Sequence, residues 1–86
     1  MAVVRKLKKV LAEHFPPPDK VDLRDDDRII GVVTSKRFRR MDTMQRQDLI
    51  HDILTTDLTE KERRQVLLIV AVTPEEEVAY AGDGNE

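Results

Sequence analysis

The chain has 86 residues, a formal net charge of −2, two Phe, one Tyr, no Trp and no Cys. This length suits a single domain with a small core, which must consist mainly of Val, Leu and Ile. The absence of cysteine excludes disulfides, thiolate catalysis and cysteine-bound metal centres within the chain. Because the net charge is negative, nucleic-acid binding would require a local basic patch.

The sequence contains no sign of a membrane segment. Its longest apolar run, residues 66–72, is far shorter than a membrane span. The first residues mix basic side chains with apolar ones and lack the apolar stretch of a signal peptide. We therefore expect a cytoplasmic protein with no membrane partner.

Residues 1–15 predict an amphipathic helix. Apolar residues recur there at helical spacing, and the opposite face is basic. Three consecutive prolines at 16–18 end the helix, because proline lacks an amide donor and disfavours helical conformation in the residue before it. The basic residues of the outer face are Arg5, Lys6, Lys8 and Lys9.

Two short segments with strand character follow the prolines. Residues 20–24 alternate polar and apolar side chains, and residues 28–35 are rich in β-branched ones. The three aspartates at 25–27 favour a turn, because their side chains bond nearby backbone amides. A calcium loop would need alternating ligands, a glycine and a distal glutamate, which are missing. The pattern predicts a β-hairpin with the aspartates at its tip.

Two capping boxes predict where the next helices begin. Asp42 with Gln45 opens a helix that has an apolar face, and Thr59 with Glu62 opens a short one. Residues 65–73 then form a β-branched run that is apolar at consecutive positions. Such a run predicts a strand covered on both faces or nearly so.

The predicted fold class is α+β, with the element order αββααβ. A strand that follows the helices needs a crossover from the hairpin, which favours a three-stranded mixed sheet with the helices packed on one face. Beyond that strand, residues 73–76 resemble a helix N-terminus, with a proline and acidic residues in the first turn. We expect one domain over residues 1–80 and a flexible C-terminal tail over residues 81–86.

Sequence motifs of catalysis are missing. The only histidines, His14 and His51, lie in no recognisable motif, and the three glycines form no phosphate-binding loop. A solvated or helix-capping role explains either histidine better than a role as ligand or base. We therefore expect a non-enzymatic protein without a cofactor or a metal site.

Three segments together match a known family pattern. They are Ser35-Lys36-Arg37-Phe38-Arg39-Arg40, then Met44-Gln45-Arg46-Gln47-Asp48-Leu49-Ile50 with Leu54, and finally Thr73-Pro74-Glu75-Glu76. The first resembles a serine–x–x–phenylalanine turn, the second an arginine-containing helix start, and the third the threonine–proline–glutamate end of a closing strand. The chain in this respect resembles the BolA-like family over residues 1–77. The resemblance implies an αββααβ fold similar to class II KH domains.

The BolA-like resemblance implies two kinds of role. One is partnership with monothiol glutaredoxins in iron–sulfur cluster trafficking, and the other is nucleic-acid binding in the regulation of transcription and stress responses. The family's helix histidine falls at Gln47, the histidine that opens its last strand falls at Gln65, and the glycine of its turn falls at Arg40. Because a glutamine amide is a poorer iron ligand than imidazole, the resemblance does not extend to cluster ligation at the two glutamines.

The candidate site is the basic connection between the predicted hairpin and the following helix. In KH-like folds a nucleic-acid backbone runs along this junction, because cations and exposed amides meet phosphate there. Phe38, in its middle, is either a core anchor, as the family pattern favours, or a platform for stacking a base. The candidate nucleic-acid-binding residues are Lys36, Arg37, Arg39, Arg40 and Arg46.

Other interpretations stay open at this point. The five cations could form a solvated surface that binds nothing. The partner could instead be a monothiol glutaredoxin, or a different protein that adds to an edge strand of the hairpin.

Overall fold

The computed structural model describes residues 2–77, without the side chains of Ala2 and Asp26. The predicted tail at 81–86, and residues 78–80 of the predicted domain, lie outside the described residues. The order αββααβ is confirmed, with one further 3₁₀ helix, η1, in the predicted basic connection. The elements are α1 (Ala2–His14), β1 (Lys20–Asp26), β2 (Arg28–Thr34), η1 (Lys36–Arg40), α2 (Thr43–Asp57), α3 (Glu60–Arg63) and β3 (Val66–Val72).

The three strands form one mixed sheet in the order β1-β2-β3. β1 and β2 pair antiparallel as a hairpin, and β3 pairs parallel to β2. A parallel neighbour requires a crossover, which is supplied by η1, α2 and α3. The predicted mixed sheet is therefore confirmed, with β2 at its centre.

The hairpin turn is tighter than the sequence suggested. β1 continues through Asp25 to Asp26, and β2 resumes at Arg28. Only Asp27 lies between them, with a φ of 73°. Aspartate tolerates this left-handed conformation better than most residues, because its short polar side chain can bond locally. The turn, expected to contain the three aspartates 25–27, thus consists of Asp27 alone.

Both capping boxes predicted from the sequence are present, and the structure adds a third. Asp42 and Gln45 form both hydrogen bonds of a capping box at the start of α2, and Thr59 and Glu62 do so for α3. After β3, the backbone N–H of Thr73 donates to Glu76 Oε1 at 2.8 Å, and Glu76 N–H donates to Thr73 Oγ1 at 3.2 Å. This third box opens a helical turn at residues 74–77. Each box satisfies amides that the first turn leaves unpaired.

The core lies between the sheet and the helices α1 and α2. Its centre is aromatic as well as aliphatic, because the rings of Phe15 and Phe38 meet with centroids 5.4 Å apart. Both rings are fully buried, so Phe38 is the core anchor that the family pattern favoured. The aliphatic part of the core includes Leu7, Leu11, Ile29, Val33, Ile50, Ile53, Leu54, Leu58, Ile69 and Ala71.

The other face of the sheet is only partly covered, which corrects the prediction for β3. Leu68 is 48% exposed, and its register partner Ile30 on β2 is 37% exposed. Leu67, which the register skips at the irregular start of the β2–β3 pairing, is 54% exposed. β3 is an edge strand with helices packed against one face, so it is not covered on both faces as expected. A consecutive apolar run alone does not distinguish a central strand from such an edge strand.

Gly31 allows two neighbouring side chains to fill the middle of the sheet. It pairs with Leu23 on β1 and with Ile69 on β3. A Cβ atom at this position would lie 2.5 Å from Leu23 Cδ2 and 2.9 Å from Ile69 Cδ1. The absence of a side chain at Gly31 therefore leaves room for the ends of both large side chains over the central strand.

We expect Gly31→Ala to lower the free energy of unfolding by about 1–3 kcal/mol, because the added methyl group overpacks this position. Urea denaturation followed by circular dichroism measures the loss. The double variant Gly31→Ala/Leu23→Ala should lose less than the sum of the single variants, since the shortened side chain makes room. Strict additivity of the two changes would contradict this account.

Candidate nucleic-acid interface

η1 is held to the body of the protein by a buried serine and a buried phenylalanine. Ser35, 1% exposed, caps η1 by accepting from Arg37 N–H at 3.1 Å and donates to Asp19 Oδ2 at 2.9 Å. Phe38, in the middle of η1, points into the core. With one residue of the turn anchored inward, the four cations around it are directed outward, and all four are exposed.

Lys36 and Arg40 are the available cations of this turn. Both are exposed, and neither side chain makes a hydrogen bond or an ion pair with another residue in the described range 2–77. Their charges can therefore reach an incoming anion without first breaking a contact within the described chain. Of the five residues predicted from the sequence, Lys36 and Arg40 are therefore the strongest candidates for direct contact with phosphate.

Arg37 is exposed but fixed in place. Its Nη1 donates to the backbone oxygen of His14 at 2.9 Å, and its guanidinium carbon lies 5.0 Å from the centroid of the Phe15 ring. A cation near the last carbonyls of α1 is favourable because the C-terminal end of a helix carries partial negative charge. Arg37 thus adds positive potential to the surface while also joining η1 to α1.

Arg39 is paired with a carboxylate beyond the end of β3. Its guanidinium donates two hydrogen bonds to Glu75, one of them from Nε to Oε1 at 3.2 Å. These hydrogen bonds lower the pKa of Glu75 below its ordinary value and raise the pKa of Arg39. The two side chains are 48% and 61% exposed, so water and salt screen the pair.

Arg46 occupies a different environment from the other four cations. Its side chain is only 15% exposed. It donates to three backbone oxygens, those of Met41 at 3.0 Å, Phe38 at 2.8 Å and Ala71 at 3.2 Å. It also donates to Glu76 Oε1 at 2.8 Å, and this bond lowers the pKa of Glu76. Four hydrogen bonds within the protein leave little of the guanidinium for a ligand, so Arg46 supports the turn.

We expect Arg46→Met to lower the free energy of unfolding by about 2–4 kcal/mol, because it leaves several carbonyl oxygens and a carboxylate without their charged donor. Urea denaturation measures the change. Arg40→Met is the matched control and should shift stability by less than about 0.5 kcal/mol, as is usual for exposed side chains. Equal stabilities of the two variants would contradict a supporting role for Arg46.

An acidic segment at residues 75–77 borders η1. The sequence predicted a helix N-terminus with acidic residues at 73–76, but not its contact with the cations. Besides the contacts of Glu75 and Glu76, Glu77 accepts from Thr34 Oγ1 at 3.0 Å and from Lys20 Nζ at 3.3 Å. The sequence did contain a signal that residues 75–77 would lie near the basic residues after β2. β2 and β3 were expected in one mixed sheet, and residues that follow two parallel strands emerge at the same edge.

Of the two histidines and the two glutamines, three make polar contacts within the protein. His14 Nε2 lies 3.1 Å from Asp57 Oδ2, and His51 is exposed on α2. Gln47 Nε2 contacts the backbone oxygen of Ile69 at 3.5 Å, and the backbone oxygen of Gln65 accepts from Ile29 N–H at 2.8 Å. Within residues 2–77, no group of three or more His, Cys, Asp or Glu residues is suitably placed to hold a metal ion.

A shallow cavity of about 290 Å³ opens between α2 and the edge strand β3. Gln47 and His51 line it from the helix, and Leu67 and Leu68 line it from the strand. Its exposed leucines distinguish it from the charged surface around η1.

Over the described part of the chain, no helix has the length and apolar character that crossing a membrane requires.

Compared with protein-family models, curated proteins and solved structures, the chain matches none. The BolA-like resemblance therefore remains an expectation based on the residues that carry it.

Proposed function

We propose that this protein is a non-enzymatic regulatory domain that binds the phosphate backbone of nucleic acid through η1. The observation that supports the proposal most is the exposure of four cations on one short turn, two of them without a partner in residues 2–77. Phosphate oxygens are bound by such Lys and Arg side chains regardless of base sequence. The BolA-like resemblance adds transcription and stress responses as the regulatory context.

The roles within the interface differ from residue to residue. Lys36 and Arg40 contact phosphate directly, and Arg37 contributes from its fixed position on Phe15. Arg39 contributes only where a ligand displaces Glu75. Arg46 stabilises the turn from behind through its bonds to the Phe38 and Met41 carbonyls. Phe38 is buried, so binding relies on charge and not on base stacking by this residue.

We expect Lys36→Gln/Arg40→Gln to weaken binding to a labelled 20-base-pair DNA duplex about tenfold or more at low salt, because two phosphate contacts are lost. Fluorescence anisotropy across a salt series should also show the slope of log affinity against log salt becoming shallower by about 1.8. A single strand of equal length tests whether the ligand must be a duplex.

Lys61→Gln/Arg64→Gln is the control for that experiment. It removes the same charge at the opposite end of β3, roughly 20 Å away along seven strand residues, and should change affinity little. Failure of the wild-type protein to bind either nucleic acid at low salt would reject the proposal, as would equal losses in the two double variants.

A second candidate function is contact with a protein partner at the cavity beside β3. The exposure of Leu67 and Leu68 supports it, because exposed apolar side chains around a depression favour protein contact. The BolA-like resemblance names a monothiol glutaredoxin as the partner. Cluster binding by Gln47 and Gln65 forms no part of this candidate.

If this second function holds, mixing the protein with a monothiol glutaredoxin should give a heterocomplex on size-exclusion chromatography. Leu68→Ser should weaken the complex about tenfold or more, since it removes an exposed apolar contact. Met44→Ser is the control, because Met44 is 74% exposed on α2 and does not line the cavity. Absence of a complex, with and without an iron–sulfur cluster, would exclude a glutaredoxin partner.

A further inference from the structure

We propose that the acidic segment Glu75–Glu77 masks the basic turn and competes with nucleic acid for it. This inference rests on the proposed function of η1 and adds a built-in restraint on that function. Each of the three consecutive glutamates contacts a basic residue: Glu75 contacts Arg39, Glu76 contacts Arg46, and Glu77 contacts Lys20. Two of these cations belong to the sequence-predicted site.

The segment is held against the turn by ordered contacts. The Thr73–Glu76 capping box fixes its first turn, and Thr73 is 5% exposed. Glu77 is held by a hydroxyl as well as by a cation, since it accepts from Thr34 at the end of β2. Glu76 and Glu77 are therefore held at this end of the sheet by contacts other than ion pairs, and Glu75 precedes them in the same helical turn.

Glu75 is the residue that competes directly with a ligand. Its carboxylate accepts from two nitrogens of Arg39, which are the donors that a phosphate would use. While this ion pair is formed, a phosphate near Arg39 is repelled by the negative charge of Glu75. Exposed ion pairs are weak and are screened by salt, so a polyanion can displace Glu75. The Arg39–Glu75 contact thus lowers the affinity for nucleic acid without preventing binding.

Glu75 is also the residue best suited to a test. Glu76 takes part in the capping box and in the contacts of Arg46, so changing it would disturb the fold. The Glu75 side chain makes neither hydrogen bond of the capping box and no contact with Arg46; its main partner is Arg39, with smaller interactions with its own backbone N–H and with Thr73. The Glu75→Gln substitution keeps the shape of the side chain and removes its charge, and should shift the urea midpoint only slightly, because exposed ion pairs contribute little to stability.

The experiment is a double-mutant cycle in nucleic-acid affinity. The wild-type protein, Glu75→Gln, Arg39→Gln and the double variant are each titrated with the labelled duplex across a salt series. Glu75→Gln should raise affinity about three- to tenfold at low salt and steepen the salt slope by about 0.9, because Arg39 gains a phosphate contact. Arg39→Gln should cost less than about twofold in the wild-type background but about three- to tenfold in the Glu75→Gln background.

Glu60→Gln controls for net charge. Glu60 is also paired with an exposed arginine, Arg64, but at the far end of β3. The Glu60→Gln variant should have an affinity for the duplex and a salt slope close to the wild-type values. An equal gain in Glu60→Gln and Glu75→Gln would show a general charge effect and overturn masking.

The remaining outcomes separate the two proposals. If the wild-type protein binds and Arg39→Gln costs the same in both backgrounds, masking is rejected while binding through η1 stands. If none of the proteins binds duplex or single strand at low salt, the proposed function fails and masking fails with it.

Discussion

The basic end of the molecule depends on the position of one guanidinium, that of Arg46. It joins η1, the start of α2, the end of β3 and the acidic segment through four hydrogen bonds. A planar guanidinium suits this place because its donors diverge in fixed directions and can serve several acceptors at once. Lysine has a single ammonium group on a flexible chain and could not reach the same set. Together with the buried Ser35 and Phe38, this contact fixes the orientation of η1 and of its exposed cations.

The same side of α2 also protects an edge of the sheet. On the free edge of β3, the carbonyl oxygen of Ala71 accepts from Arg46, and that of Ile69 accepts from Gln47. Unpaired edge carbonyls are acceptors that another strand would otherwise use. Side chains from the helix thus occupy part of this edge, while the exposed leucines at the beginning of β3 keep their apolar surface. A protein partner at β3 would therefore bind more easily by packing against the side chains of Leu67 and Leu68 than by pairing a strand of its own with the full length of β3.

The fold was largely predictable because its local signals agree with one another. The proline run after α1 and the capping boxes at Asp42 and Thr59 define element boundaries through hydrogen-bonding rules that act over three or four residues. The exposure of β3 was predicted wrongly, because hydrophobic pattern reports which residues avoid water on average and does not reveal where a strand lies in its sheet. The role of Phe38 as a core anchor was predicted from the family pattern, and its burial agrees.

The site was less predictable than the fold. The sequence interpretation grouped five cations by their nearness along the chain. What separates them is long-range pairing: Arg46 meets residues 25 and 30 positions away, and Arg39 meets one 36 positions away. Charge counts along a sequence contain no information on such contacts. Only the expectation of a mixed sheet carried a hint, since the residues that follow two parallel neighbouring strands lie at one edge of the sheet.

That shared edge explains how a protein with a net charge of −2 can present both a basic turn and its counter-charge in one place. The chain leaves β2 into η1 and leaves β3 into the glutamates, so the topology itself brings cations and carboxylates together. Over distances beyond about 10 Å, salt at physiological strength screens the remaining charges. A polyanion approaching η1 therefore responds mainly to Lys36 and Arg40, and to whether Arg39 is released from Glu75. On this view the affinity of the surface is set by the exchange of one local ion pair, far more than by the net charge of the chain.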